Sequence, residues 1–189
     1  MITKSSLIEE IFELVNPCKC DACNNGCNYG SGSLVDGDLK KLAEHLEISE
    51  EETKEKYLEE IEKFNTKRYR PKLERKKGMP YGKCTFYDKK SGCGVHDAKP
   101  MECKIAMGCK NYGNELITWF NLNYYVNLDD PESVRQWATA INSGGKNIDG
   151  GSIPELIPNK EKRKSIFKYD DIKNRNKKDW NKILGIDDE

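Results

Sequence analysis

The sequence has few apolar residues and no long apolar run. Only 36% of its 189 residues are hydrophobic, against 34% charged, so its core must be small for its length. No stretch approaches the ~20 apolar residues that span a bilayer. Glu9, Glu10 and Glu13 interrupt the first apolar residues, which is not typical of a signal peptide. We therefore expect a cytoplasmic protein with no membrane partner.

The sequence also lacks a net charge and a recognisable catalytic array. Lys plus Arg and Asp plus Glu number 32 each, so no overall field attracts nucleic acid or acidic ligands. The basic stretch at 160–179 is interpreted as a solvated face, and RNA is not an expected partner. No Ser/His/Asp array or paired-carboxylate motif stands out among so many charges. Whether the protein is an enzyme therefore stays open.

Cysteine, in contrast, is abundant, with eight residues in two groups of four. The first group is Cys18, Cys20, Cys23 and Cys27, and the second is Cys84, Cys93, Cys103 and Cys109. In a reducing compartment, thiols this dense are more typical of metal ligands than of disulfides. Metal binding would also add folding energy that a small apolar core does not supply. All eight cysteines are candidate metal ligands.

The spacing of the cysteines bears on the kind of metal. Four thiolates are a full ligand set for zinc and also for a [4Fe–4S] cluster. Structural zinc sites typically use two C-x2-C pairs, and only Cys20 and Cys23 have that spacing. The looser second group favours a cubane, whose ligand sulfurs lie further apart than those around one ion. We expect one or two [4Fe–4S] clusters, with zinc as the alternative.

The grouping of the ligands is left open by spacing alone. The compact first group indicates one centre, and the second group could form its own. Alternatively, the two groups interleave around a shared centre. His96 follows Cys93 by three residues and could be a ligand, although a turn histidine beside the site is the favoured interpretation.

Hydrophobic periodicity predicts a mainly α fold. Helices are predicted at 5–15, starting from a Ser6–Glu9 capping box, at 37–47, and from Ser49 to about Phe64. Residues 65–83 have an irregular pattern, and a short strand is predicted at Cys84. Asp130 and Pro131 begin a further helix. The aromatic residues of 114–126 are interpreted as core rather than as a shield over a cluster.

We therefore predict a small irregular cysteine-cluster domain with short β elements, packed by several helices. It covers residues 1–110, and residues 111–189 form a helical extension packed on it. A single domain is the alternative.

The region around the second cysteine group resembles the YkgJ-type cysteine-cluster family, a zinc- or iron-chelating domain related to flagellin lysine N-methylases. The resemblance rests on Cys84-Thr-Phe-Tyr, Gly92-Cys93 and Lys99-Pro100-Met-Glu-Cys103-Lys104. It implies a metal or iron–sulfur role for the six cysteines Cys20, Cys23, Cys27, Cys84, Cys93 and Cys103. The first group departs from the family pattern because it has no adjacent Cys-Cys pair.

Three functions are consistent with these residues. The leading hypothesis is a [4Fe–4S] protein in electron transfer with a protein redox partner, since a cluster held by four cysteines leaves no iron open to substrate. The alternative is a zinc-stabilised interaction module that binds a partner protein. A second alternative, implied by the family resemblance, is a metal- or S-adenosylmethionine-dependent modifying enzyme of the lysine methylase type.

Overall fold

The computed structural model describes residues 1–15, 21–106, 110–166 and 185, with backbone alone at 21–23. The fold is mainly α with small β elements, which confirms the predicted class at that level. The α-helices are α1 Ile8–Leu14, α2 Asp21–Gly26, α3 Asp38–Leu46, α4 Glu50–Tyr57, α5 Met101–Ile105, α6 Gly113–Tyr124, α7 Pro131–Asn142, α8 Ile153–Leu156 and α9 Lys160–Ile166. The strands are β1 Leu58–Lys63, β2 Thr66–Pro71, β3 Leu73–Arg75, β4 Gly82–Cys84, β5 Tyr87–Asp88 and β6 Gly92–Cys93. Among the residues described, no helix combines the length and apolar character that crossing a membrane requires.

The chain forms two compact units. The first, called the cysteine unit, comprises Leu7–Glu62 and Lys67–Ile117. The second, called the helical unit, comprises Met1–Ser6, Lys63–Thr66 and Thr118–Glu189.

Local side-chain bonds mark the starts of α1 and α4 in the cysteine unit. The Ser49 hydroxyl accepts a hydrogen bond of 3.1 Å from the Glu52 N–H at the start of α4, which is one of the two bonds of the predicted capping box. The predicted capping box at Ser6 is wrong by one residue. Glu10 accepts from the Leu7 N–H at 2.7 Å, so α1 begins at Ile8, while the Ser6 hydroxyl accepts from the Thr3 N–H.

The third predicted helix ends early. It stops at Tyr57, and the chain continues as strand β1, which pairs with β2 in a hairpin. Phe64 and Asn65, at the turn, have φ of 49° and 55°, the left-handed values that a two-residue hairpin turn needs. Alternating burial along both strands outweighs the helical preference of the Glu- and Lys-rich sequence. Residues 65–83, predicted to be irregular, thus contain strands β2 and β3 and most of β4.

Two short antiparallel sheets follow and carry cysteines. Strand β3 pairs with β4, placing Leu73 opposite Cys84. Strand β5 pairs with β6, placing Tyr87 opposite Cys93. One apolar cluster of this unit has four buried members, Leu34, Leu42, Leu58 and Val95, with Leu39, Leu46, Phe86 and Cys93 packed against them. Ile11, Met101, Ile105 and Leu116 are also buried in this unit.

The helical unit is built around aromatic side chains. Trp119, Phe120, Tyr125 and Trp137 are all at most 3% exposed. The Trp119 indole N–H donates to the Ser6 carbonyl at 3.0 Å, and that of Trp137 donates to the Gly151 carbonyl at 2.9 Å. These aromatics are core residues of the helical unit.

The caps of this unit agree with the sequence. Asp130 accepts from the Glu132 N–H at 3.0 Å and starts α7 before Pro131, as predicted. The basic stretch at 160–179 begins with α9, and its residues beyond Ile166 lie outside the described residues.

Candidate metal centre

Four of the eight cysteines lie in the part of the chain whose side chains are described, and each comes from a different segment. Cys27 directly follows α2, Cys84 ends β4, Cys93 ends β6, and Cys103 lies within α5. The Cys84 N–H donates to the Cys27 carbonyl at 2.8 Å, and the Gly82 N–H donates to the Tyr29 carbonyl at 3.4 Å. The loop after α2 therefore lies along strand β4.

These four cysteines line one cavity of ≈ 80 Å³, here called the cysteine cavity. Its other lining residues are Asn24, Gly30, Ser31, Pro71, Phe86, Tyr87, Val95, His96, Lys99, Pro100, Lys104 and Ala106. Cys27 from the first sequence group thus shares a cavity with three members of the second. This arrangement corresponds to interleaved groups, one of the alternatives that spacing left open.

The other predicted ligands are not placed. Cys18, Cys20 and Cys109 lie outside the described residues, and Cys23 lies in α2 with an undescribed side chain. Their role as ligands stays a prediction. Within the described residues, no group of three His, Cys, Asp or Glu side chains is arranged to hold a metal ion. The four described cysteines are brought together as lining residues of one cavity.

Helix α5 is fixed against the loop before α3 by two buried carboxylates. Asp38 is 5% exposed and accepts from the Met101 N–H at 2.8 Å, at the start of α5. Glu102 accepts from the Ser33 N–H at 2.6 Å. Carboxylates at a helix N-terminus satisfy its free N–H groups and interact well with the helix dipole. These bonds hold Cys103 at the cavity.

Backbone N–H groups point at two of the sulfurs. The Gly32 N–H donates to the Cys103 Sγ at 3.1 Å, and the Phe86 N–H bonds to the Cys84 sulfur. A Cβ on Gly32 would lie 2.6 Å from the Cys103 backbone nitrogen and 2.7 Å from its Sγ. Glycine is therefore required for this close approach. Gly32 thus brings the Asn- and Gly-rich loop after α2 into contact with a cysteine of the second group.

The cavity disfavours free thiolates. Burial raises the pKa of Cys84 to about 11, and the neighbouring Cys27 and Cys93 add to the rise against the Phe86 hydrogen bond. Burial also raises the pKa of Cys103, opposed by the Gly32 N–H. The pKa of Cys27 is raised by burial and by Cys93, while Lys99 acts in the opposite direction. Four ionised sulfurs would thus need a bound cation to balance them.

The two histidines have different positions. His96 begins a 3₁₀ turn, His96–Ala98, and lines the cysteine cavity, whereas its role as a ligand stays a prediction. His45 is exposed on α3 with its Nε2 3.3 Å from the Gly94 carbonyl oxygen, in accordance with its helix-flank position.

The donor set fits a thiophilic metal group. Cysteine sulfur is the ligand that zinc and iron–sulfur clusters share, and hydrogen bonds to the sulfurs are typical of such sites. A family of proteins described as "Putative zinc- or iron-chelating domain" (CxxCxxCC) matches residues 19–122 of the chain. The chain belongs to this family.

Membership of the CxxCxxCC family supports metal binding by zinc or iron. The matched region contains seven of the eight cysteines, all except Cys18. Its first element departs from the family name, since Cys20 and Cys23 are followed by a single Cys27 rather than by an adjacent pair. Neither the curated proteins nor the solved structures contain a match to the chain.

Proposed function

We propose that the protein is a small iron–sulfur protein that carries a [4Fe–4S] cluster in the cysteine cavity and relays electrons to or from a protein partner in the cytoplasm. The observation that carries the proposal is that Cys27, Cys84, Cys93 and Cys103, which come from four different segments, line one cavity. Four cysteines are a full ligand set for a [4Fe–4S] cluster, and their wide spacing in the sequence favours a cubane over a structural zinc site.

The surroundings of the sulfurs support the same proposal. Hydrogen bonds to cluster sulfurs, burial and nearby charge are the features by which proteins adjust cluster potential. The Gly32 and Phe86 N–H groups supply two such bonds, and the buried position of Cys84 supplies the low dielectric. A bound cluster would supply one-electron redox chemistry. With four cysteine ligands, every iron is coordinated by protein, which favours electron transfer over substrate binding.

Metal and sulfide analysis of anaerobically purified protein tests the proposal. We expect brown protein with broad visible absorbance and approximately four iron and four sulfide per chain. Colourless protein with stoichiometric zinc and no sulfide would contradict it and would favour the zinc-stabilised interaction module. That alternative rests on the family, whose description includes zinc.

Single substitutions test the ligands themselves. Cys84→Ser should lower iron and sulfide content together, whereas Thr85→Ser, a change of similar size at the next residue, should leave both unchanged. A Cys84→Ser protein with a full cluster would show that this sulfur is not a ligand. The same Cys→Ser change is made at each of the four cysteines. If only one of the four variants keeps a full cluster, one iron of the cluster is not held by a cysteine, and the modifying-enzyme alternative gains support.

A further inference from the structure

The charged residues that line the cysteine cavity are all basic. Lys99 and Lys104 lie at the cavity with His96, and none of the described residues that line it is an aspartate or glutamate. The whole sequence is balanced at 32 positive and 32 negative side chains. The lining of the cavity is therefore positively charged in a chain that has no net charge, and the same cavity contains the four cysteine sulfurs.

The backbone holds Lys99 in a defined position at this cavity. The residue precedes Pro100 and has φ −59° and ψ 145°, the extended conformation that a following proline imposes. Its neighbours Ala98 and Pro100 are buried, so the segment is anchored on both sides, and Lys99 itself is half-buried. Lys99 makes no ion pair with any residue that the structure describes.

We propose that Lys99 is the counter-charge of the metal-bound cysteines, a positioning residue whose ammonium group offsets their excess negative charge and thereby sets metal affinity. Four thiolates around a centre of charge +2 leave a net charge of −2, for zinc and for an oxidised cubane alike. A cation that lines the same half-buried cavity attracts such a charge more strongly than it would in bulk water. The field of Lys99 already reaches Cys27.

The same charges argue against an exogenous anion as the partner of Lys99. An anion in this cavity would lie beside four metal-bound sulfurs and would be repelled by them. Lys104, next to Cys103 on α5, adds to the positive field, but it is carried by the short helix that also carries a sulfur. Lys99 lies on a separate segment between the 3₁₀ turn and α5, so its charge can be changed with less effect on the position of the sulfur.

Metal affinity measured on matched variants tests this inference, which rests on the proposed metal centre but not on its being iron. Co²⁺ and Zn²⁺ are titrated into reduced, metal-free protein under anaerobic conditions, in competition with a chromophoric chelator. The variants are Lys99→Gln, which removes the charge, Lys99→Arg, which keeps it, and Lys89→Gln. Lys89 is exposed in the turn between β5 and β6 and does not line the cavity.

We expect Lys99→Gln to weaken binding of both ions about tenfold, with the Co²⁺–thiolate absorption bands unchanged in shape. Lys99→Arg should restore affinity to near wild type, and Lys89→Gln should have no effect. Added salt should reduce the difference between wild type and Lys99→Gln.

Two results would contradict the role of Lys99 as the counter-charge of the cysteines. One is wild-type affinity for Lys99→Gln. The other is equal weakening by Lys99→Gln and Lys99→Arg, which would assign the effect to shape rather than charge. Failure of the metal centre itself would be seen differently, as wild-type protein that binds neither ion and shows no thiolate bands.

Discussion

The cysteine unit and the helical unit have interiors of different kinds. The helical unit buries Trp119, Phe120, Tyr125 and Trp137 almost completely, and each such ring removes ~150–250 Å² from water. The cysteine unit buries mainly aliphatic side chains, such as Ile11, Leu42 and Ile105, and also contains a cavity lined by four sulfurs and two lysines. We therefore expect apolar burial to order the helical unit, and apolar burial together with the content of the cavity to order the cysteine unit. Substitutions in the two units test that difference.

Removing one sulfur should affect the cysteine unit most. Cys103→Ser is expected to lose most bound metal and to destabilise this unit by about 5 kcal/mol or more, because structural metal sites contribute ~10–16 kcal/mol to folding. Hydrogen exchange resolved by residue, together with metal content, measures the effect.

The helical unit serves as the internal reference for this substitution, and its amides should keep their protection. Thr85→Ser, at a residue of the same unit that does not line the cavity, is the control. Full metal content with unchanged exchange in Cys103→Ser would contradict the dependence of the cysteine unit on the cavity.

Truncating a core aromatic should have the converse effect. Trp137 is 2% exposed, packs edge-on to Phe64 at 5.3 Å between ring centroids, and donates to the Gly151 carbonyl. Trp137→Ala is expected to destabilise the helical unit by ~3–5 kcal/mol, with metal content per folded chain unchanged. Denaturant unfolding, monitored by hydrogen exchange of the α7 amides, measures the loss of stability of the helical unit. Loss of metal in proportion to the loss of stability would show that the two interiors are not independent.

Filling the space at Gly32 should affect the cavity through crowding alone. Gly32→Ala places a methyl group 2.6 Å from the Cys103 nitrogen, so helix α5 or the loop must shift. We expect a destabilisation of about 2 kcal/mol and a weaker hydrogen bond to the Cys103 sulfur, seen as a change in the charge-transfer bands of the Co²⁺ form.

Gly26→Ala is the matched control for this variant, because Gly26 precedes the same loop, does not line the cavity, and an added Cβ there meets nothing within 4 Å. Equal effects of the two substitutions would mean that the loop, rather than the contact with Cys103, is sensitive.

The smallest effect is expected at the ion pair that ties the hairpin to β3. The Arg75 and Arg70 guanidinium groups hold the pKa of Glu59 below its ordinary value. The two ion pairs should therefore contribute fully to the free energy of unfolding above the unfolded-state pKa of ~4.3. This contribution is lost as the pH falls through the lower folded-state pKa of Glu59. Glu59→Gln should cost about 1 kcal/mol at pH 7, and this difference should shrink below about pH 4.

Urea unfolding at several pH values checks the Glu59 prediction. Glu60→Gln, at an exposed carboxylate paired with Lys67, is the control and should show no resolvable change. A pH-independent difference between wild type and Glu59→Gln would contradict the ion-pair origin.

The sequence predicts the fold where local chemistry decides it. Ser49 and Asp130 cap helices as expected because a hydroxyl or carboxylate at that position satisfies free N–H groups within three residues. The hairpin of β1 and β2 was missed because Glu and Lys residues favour a helix locally. Its turn has Phe64 and Asn65 at positive φ, without the Asn-Gly pair that usually signals such a turn.

The cavity itself is beyond local prediction. Cys27 and Cys84 are joined by a backbone hydrogen bond between residues far apart in sequence, and no spacing rule connects them. The Gly32 contact with Cys103 is likewise a tertiary approach, signalled only by the presence of a glycine. Spacing therefore identified which residue types matter but not which cysteines share a cavity.

The order of the cavity segments along the chain has a consequence for biosynthesis. Cys27, Cys84, Cys93 and Cys103 emerge from the ribosome in that order, and the last follows the first by 76 residues. At ~5–20 residues per second, Cys27 is exposed for several seconds before Cys103 is made. Throughout that interval the nascent thiols have no completed cavity around them. A metal group held by all four of these cysteines can therefore be completed only after more than half of the polypeptide has been translated.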